Sequence, residues 1–295
     1  MWKEAAALTA AAGLACIGRS EYEKKHFTIE VTEIVSDKLK KDRILVFLSD
    51  LHNNEFGRDN QELLEAIYRL NPDGILCGGD MMVCKGEKDT RVPLKLFRQL
   101  AACCPVYCGN GNHENRMVWE RHIYGNLYEE YRDALLSMGV RYLEDSAAPL
   151  GEDILVAGVD LPQRYYCKAL CRRIPDMPKG YMDHKLGAGT ARRDRGRYTI
   201  LLAHTPLYFD AYAAWGADLT LSGHFHGGTI RIPWLGGVMT PQFQFFLPWC
   251  AGDFEKDGKR MIVSRGLGTH SINIRLNNKP QLVVIHLRAR GTVHR

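Results

Sequence analysis

Five short apolar runs in this chain stop at the same kind of residue. ILVFLS (44–49) leads into Asp50 and His52, and GILCGG (74–79) into Asp80. PVYCGNG (105–111) leads into Asn112 and His113, YTILLA (198–203) into His204, and DLTLSG (218–223) into His224 and His226. Apolar runs without polar alternation suit strands covered on both faces. Helical patterns fall between them. Residues 60–70 place Leu63, Leu64, Ile67 and Leu70 on one face, with Asn60 positioned as a cap, and residues 92–102 form a second such segment. This β-α-β-α-β order restricts the chain to an α/β fold with a largely parallel inner sheet.

The remaining segments fill in around that frame. Residues 26–36 alternate like an edge strand, and residues 117–138 read as one long helical region. VRYLED (140–145) and DILVAGVD (153–160) predict strands joined through a turn. Residues 161–197 are polar and basic and predict a surface excursion, while 259–268 and 280–287 predict closing strands. With no repeat and no linker composition, residues 26–295 are expected to form one domain behind an apolar segment at 1–25.

In open α/β sheets, ligands collect beyond the carboxyl ends of the strands. Asp, Asn and His at five such ends, were those ends side by side, would form a metal site. Two Asp, one Asn and four His exceed what one ion needs once water is counted. The set therefore implies two ions. Mixed imidazole and carboxylate ligation suits Mn, Fe or Zn better than Ca, and the absence of thiolate argues against a structural zinc. Two ions about 3.5–4 Å apart are the usual device for cleaving phosphate esters. The glycines flanking these residues permit turns that a Cβ would obstruct.

The series DLH, GD, GNHE, a lone His and GHFH resembles the calcineurin-like metallophosphoesterase superfamily. HGGTIRIP (226–233) and VSRGLGTHSINIRL (263–276) look like a bacterial branch of phosphohydrolases often preceded by a membrane anchor. The resemblance implies a four-layer α/β/β/α sandwich with the metals at one edge. It implies that Asp50, His52 and His226 hold one ion, that Asn112, His204 and His224 hold the other, and that Asp80 bridges both. His113 would act on substrate, as an imidazolium that neutralises a phosphoryl oxygen or protonates the leaving alkoxide. Asn54 and Glu114 would support the ligands. The activity implied is metal-dependent hydrolysis of a phosphodiester or phosphomonoester. The alternatives are a pyrophosphohydrolase of a lipid-linked or nucleotide-sugar substrate, and a scaffold that binds metal without catalysis.

Composition narrows partners. The net charge of +5 over 295 residues is modest, and no strand interleaves basic with aromatic residues. The basic run at 191–197 reads as a solvated loop, so nucleic acid is not an expected partner. No protein partner is implied. Nine cysteines, an odd number without zinc-ribbon spacing, fit buried thiols in a reducing compartment. Residues 5–17 are apolar but short for a membrane span, leaving a cytoplasmic or a membrane-associated protein open. Residues 161–197 are expected to form a rim or lid that shapes specificity. Residues 234–252 are rich in Trp and Phe and predict either a packed loop or a surface for a lipid head group or membrane.

Overall fold

A computed structural model describes residues 2–167, 173–187, 196–269 and 272–292. The apolar runs form the strands of two six-stranded sheets. The first has the order β1-β14-β2-β3-β4-β5, the second β12-β13-β9-β8-β7-β6. In the first, β2 (Arg43–Leu48), β3 (Gly74–Cys77), β4 (Val106–Gly109) and β5 (Arg141–Leu143) run parallel. In the second, β7 (Ile154–Gly158), β8 (Tyr198–Leu202), β9 (Leu219–Ser222) and β13 (Lys259–Val263) do so. β14 (Gln281–Ala289) lies antiparallel to β2, and β1 (Thr28–Ser36) closes that edge parallel to β14, as its alternation predicts. β12 (Gly252–Lys256) and β6 (Ser146–Leu150) form the second sheet's edges.

The runs lack alternation because both faces of each strand are covered. Leu45, Phe47 and Leu76 of the first sheet pack against Val156, Ile200, Leu202 and Leu221 of the second. Val46, Leu48, Ile75 and Cys77 face the other way, onto α2 (Gln61–Leu70), α3 (Arg91–Cys103) and α6 (Leu127–Ser137). Leu201 and Ala203 likewise turn outward onto α7 (Tyr181–Leu186) and α8 (Phe209–Trp215), where Met182, Tyr212 and Trp215 are buried. The layers are thus helix, sheet, sheet, helix. Arg43 pairs with Asp153 at 2.6 Å, tying the sheets together at the start of β2 and β7.

Several local expectations change. Asn60 is left-handed (φ 62°) and makes no side-chain cap; its Oδ1 accepts from Phe56 N–H instead. The helical region at 117–138 starts earlier and is three pieces: α4 (Asn112–Trp119), α5 (Arg121–Tyr124) and α6. Glu120 leaves helical geometry (φ −112°, ψ 47°) and Gly125 turns at φ 62°. β6, which contains Pro149, was not foreseen; it lies on a sheet edge, where proline's missing N–H does least harm. Residues 161–197 are not all surface, since Leu161, Tyr165, Met182 and Leu186 pack onto the second sheet. The basic run at 191–197 lies outside the described residues except for Gly196 and Arg197.

α1 (Trp2–Lys25) carries the N-terminal apolar segment. Only Ser20 and Glu23 of it are buried. No described helix is long and apolar enough to cross a membrane.

Candidate metal centre

The five strand ends predicted from the sequence meet at one edge of the two sheets. Asp50 and His52 follow β2, Asp80 follows β3, and Asn112 and His113 open α4 after β4. His204 follows β8, and His224 and His226 follow β9. All eight are buried. Three sets of donor atoms lie within 4.8 Å of one another: Asp50, His52 and His226; His52, Asp80 and His113; and Asp80, His204 and His224. Asp80 belongs to two of these sets.

Bringing the donors together distorts the backbone. Asp50, His52, Asp80, His224 and His226 all have φ between 48° and 67°. An L-residue there costs on the order of 1 kcal/mol, a strain that clusters at functional sites. Two glycines make the approach possible. Gly79 turns at φ 88°, and a Cβ there would collide with Gly111 N. A Cβ on Gly223 would collide with Asp50 Oδ2 and Ser49 Oγ.

Hydrogen bonds set the state of each imidazole. His204 Nδ1 lies 2.7 Å from Gly78 O, and His226 Nδ1 lies 3.1 Å from Gly268 O. A carbonyl only accepts, so both rings carry a proton on Nδ1 and turn Nε2 towards the carboxylates. The His226 Nε2 is 3.3 Å from Asp50 Oδ1 and 3.1 Å from His52 Nε2. The His204 Nε2 is 3.1 Å from Asp80 Oδ2. His224 works the other way round. Its Nε2 is 3.1 Å from Gln242 Oε1, while the Gln242 amide nitrogen donates to Cys167 O at 2.8 Å. The Gln242 oxygen is thereby the acceptor, and the His224 lone pair is on Nδ1.

The carboxylates are held as firmly. Asp50 accepts from Ser49 Oγ at 2.6 Å and from His224 N–H at 3.0 Å. Asp80 Oδ1 accepts from His113 N–H at 2.7 Å. Glu114 accepts from the N–H groups of Asp80, Met81 and Gly111 at 2.7, 2.8 and 2.9 Å, clamping the β3 loop to the start of α4. Burial pushes Glu114 up to about 7. Asn54 donates to Leu267 O at 3.2 Å, bracing the loop after β2.

Charge in the pocket favours cations. Burial opposes ionisation of Asp80, yet His204, by its charge and its hydrogen bond, holds the carboxyl well below the ordinary range. Burial likewise opposes protonation of His204, but Asp80 and Asp50 raise it to about 10. The negative field that holds a proton on His204 would hold a cation in its place. Burial lowers His224 to about 3, so it is a neutral ligand-type imidazole. Asn112 Oδ1 is buried with no hydrogen-bond partner. Buried polar atoms are rarely left so. Oxygen and nitrogen donors crowded together, one of them orphaned, fit metal ligation. With ions bound, the chemistry supplied would be acidification of water and stabilisation of charge on phosphoryl oxygens.

His113 differs from the expectation. Cys84 N–H donates to its Nδ1 at 2.6 Å. The ring is then neutral with its proton on Nε2, a hydrogen-bond donor. The imidazolium expected from the sequence would set an Nδ1–H against the Cys84 N–H.

Four supporting residues gave no sequence signal. Gln242 sits inside the aromatic stretch 234–252. Tyr166 packs edge-on to His224 with centroids 5.1 Å apart, from a segment read as surface. Arg275 is buried and donates to Arg265 O, Gly266 O, Gly268 O and Asn278 O. Gly268 O is the same atom that orients His226. Asn278 donates to His226 O at 2.7 Å.

The sequence model of the calcineurin-like phosphoesterases matches residues 44–228, and the chain belongs to that family. It is similar to the metallophosphoesterase YkuE of Bacillus subtilis, 26% identical with 97% of this chain and 93% of that protein covered. It is also similar to the phosphodiesterase YaeI of Escherichia coli (26%; 82% and 81% covered). A third relative is the UDP-2,3-diacylglucosamine pyrophosphatase LpxG of Chlamydia trachomatis (22%; 82% of each). The chain is thus a metallophosphoesterase, a hydrolase with a metal-binding site.

Proposed function

We propose that residues 26–295 act as one unit that hydrolyses phosphodiesters. The observation that carries this reading is the convergence of Asp50, His52, Asp80, His204, His224 and His226, with Asn112 Oδ1 left unpaired beside them. Asp50, His52 and His226 would hold one ion, and Asn112, His204 and His224 the other, with Asp80 as the carboxylate available to both. Mn, Fe or Zn fits this mixture of imidazole and carboxylate. The likeness to YaeI supports a diester.

The chain's own residues then have distinct tasks. Asp50 and Asp80 supply the negative charge that retains the cations. Gly78 O, Gly268 O and Gln242 orient the imidazoles of His204, His226 and His224, so that the other ring nitrogen of each faces inward. His113 donates its Nε2–H to a phosphoryl oxygen as negative charge builds there.

The test is hydrolysis of aryl phosphodiesters by Mn²⁺-reconstituted protein, with metal content measured alongside. Wild type is expected to bind two ions and turn over. His113→Asn is expected to keep both ions and lose about 10²–10³ in kcat, the usual loss for one such donor. A hydrogen bond to a phosphoryl oxygen makes that loss equal for good and poor leaving groups. A loss that grows with leaving-group basicity would restore the proton-donor role. Two bound ions without turnover would leave a scaffold, and protein that binds no metal would end the reading.

A further inference from the structure

Beside the metal centre, with His226 in its wall, lies a narrow cleft. Met239, Pro241, Phe243, Ile272 and Ile274 supply its apolar lining. The one charged lining residue, Arg275, is buried and donates to four backbone carbonyls. Three of the polar side chains there have protein partners, Asn278 Nδ2 donating to His226 O and Thr229 O, while Asn278 Oδ1 and Arg275 Nε are buried without one. Thr229 Oγ1 donates to Met239 O at 3.3 Å, and Thr269 Oγ1 donates to Asn273 Oδ1 at 2.8 Å.

A small phosphate ester has no use for such a surface. A nucleobase or sugar would bring donors and acceptors that this lining does not answer, which is costly once they leave water. A hydrocarbon chain has none to satisfy. The mouth is apolar too: Ile272 and Ile274 are 39% and 43% exposed. The hairpin of β10 (Arg231–Ile232) and β11 (Gly236–Gly237) adjoins it, since Arg231 N–H donates to Leu276 O. Trp234 between those strands is fully exposed, and Leu235 is 57% exposed.

The geometry points to a substrate class: the cleft takes the hydrocarbon chain of a phosphodiester whose phosphorus sits at the metal centre. This rests on the phosphodiesterase reading above. His226 is common to the cleft and the donor set, so a chain running past Met239 towards Ile274 would start beside the metal centre.

The experiment uses Mn²⁺-reconstituted full chain and p-nitrophenyl methyl, butyl and octyl phosphates, all below their aggregation concentrations. Burying a methylene is worth about fourfold in binding, so partial burial of the octyl chain is expected to raise kcat/KM over the methyl ester on the order of 100-fold. Ile272→Asp and Ile274→Asp, at half-exposed positions that tolerate a polar side chain, are expected to bring the octyl-to-methyl ratio towards one. The ratio is taken within each protein, so a general loss of metal or fold cancels. A wild type that cleaves the methyl ester without chain-length dependence overturns the cleft assignment and leaves the phosphodiesterase reading standing. A rising series unaffected by both variants overturns it as well. No cleavage of the methyl ester fails the underlying reading instead.

Discussion

His224, a proposed metal ligand, shows how much of a donor's character comes from its neighbours. The residue type supplies two nitrogens, and Gln242 decides which one keeps the lone pair. Its amide group is itself locked by Cys167 O, so the ring has one available orientation. Partners of this kind are usually worth 10–100-fold in metal affinity. Gln242→Leu fills nearly the same volume without the acceptor. It is expected to weaken Mn²⁺ binding about tenfold or more, read by chelator competition. Unchanged affinity would show that the ring is oriented by packing against Tyr166 alone. His113 makes the same point. Its place after Asn112 was evident in GNHE, but its neutral state follows from Cys84, 29 residues away.

At the scale of elements, five of the parallel strands, β2, β3, β4, β8 and β9, each deliver one loop to the site, and neighbouring loops are fastened to one another. Asn110, two residues ahead of Asn112, donates to Asp160 after β7 at 2.8 Å and to Tyr128 of α6 at 2.7 Å. Asp160 is raised from 3.8 to about 7, first by burial and then by Asp145 and Glu144, against the pull of the Asn110 bond and of Lys185. The folded protein therefore holds a proton that the unfolded chain has released between about pH 4 and pH 7. Its contribution to stability is present below pH 4 and is lost as pH rises through that window. Asp160→Asn is expected to flatten this fall in a series of thermal melts of metal-free protein. An equally steep fall in the variant would shift the cause to Glu114, which is raised to about 7 in the same direction.

Over the whole molecule, α1 has two parts with different standing. Residues 2–19 are exposed throughout, with Leu8 and Leu14 at 72% and 70%. The last turn is fastened to the site's support. Ser20 Oγ accepts from Arg275 N–H at 3.0 Å, and Glu23 accepts from Asn278 N–H at 2.8 Å. Arg275 and Asn278 in turn hold Gly268 O and His226 O. Deleting residues 1–18 is expected to leave Mn²⁺ affinity and Tm unchanged. Deleting 1–25 removes Ser20 and Glu23 and is expected to lower affinity about tenfold. Equal affinities in the two truncations would show that the 275–278 segment holds itself.

The fold and the ligand types were legible because their signals are local. An apolar run covered on both faces, followed by Asp, Asn or His next to glycine, is written in consecutive residues, and β2, β3, β4, β8 and β9 all appear where those runs stand. Pieces with weaker local signals were misread: β6, with its proline, and the break at Gly125. What only tertiary structure decided was the direction of the lone pairs and the walls around them. Gln242, Arg275, Asn278 and Glu23 reach the ligands from positions far along the chain, and the cleft beside His226 is assembled from three separate loops. The physical reason is that coordination needs both a donor and its orientation. A residue carries the donor with it, whereas orientation is imposed by hydrogen bonds that exist only once distant segments have packed.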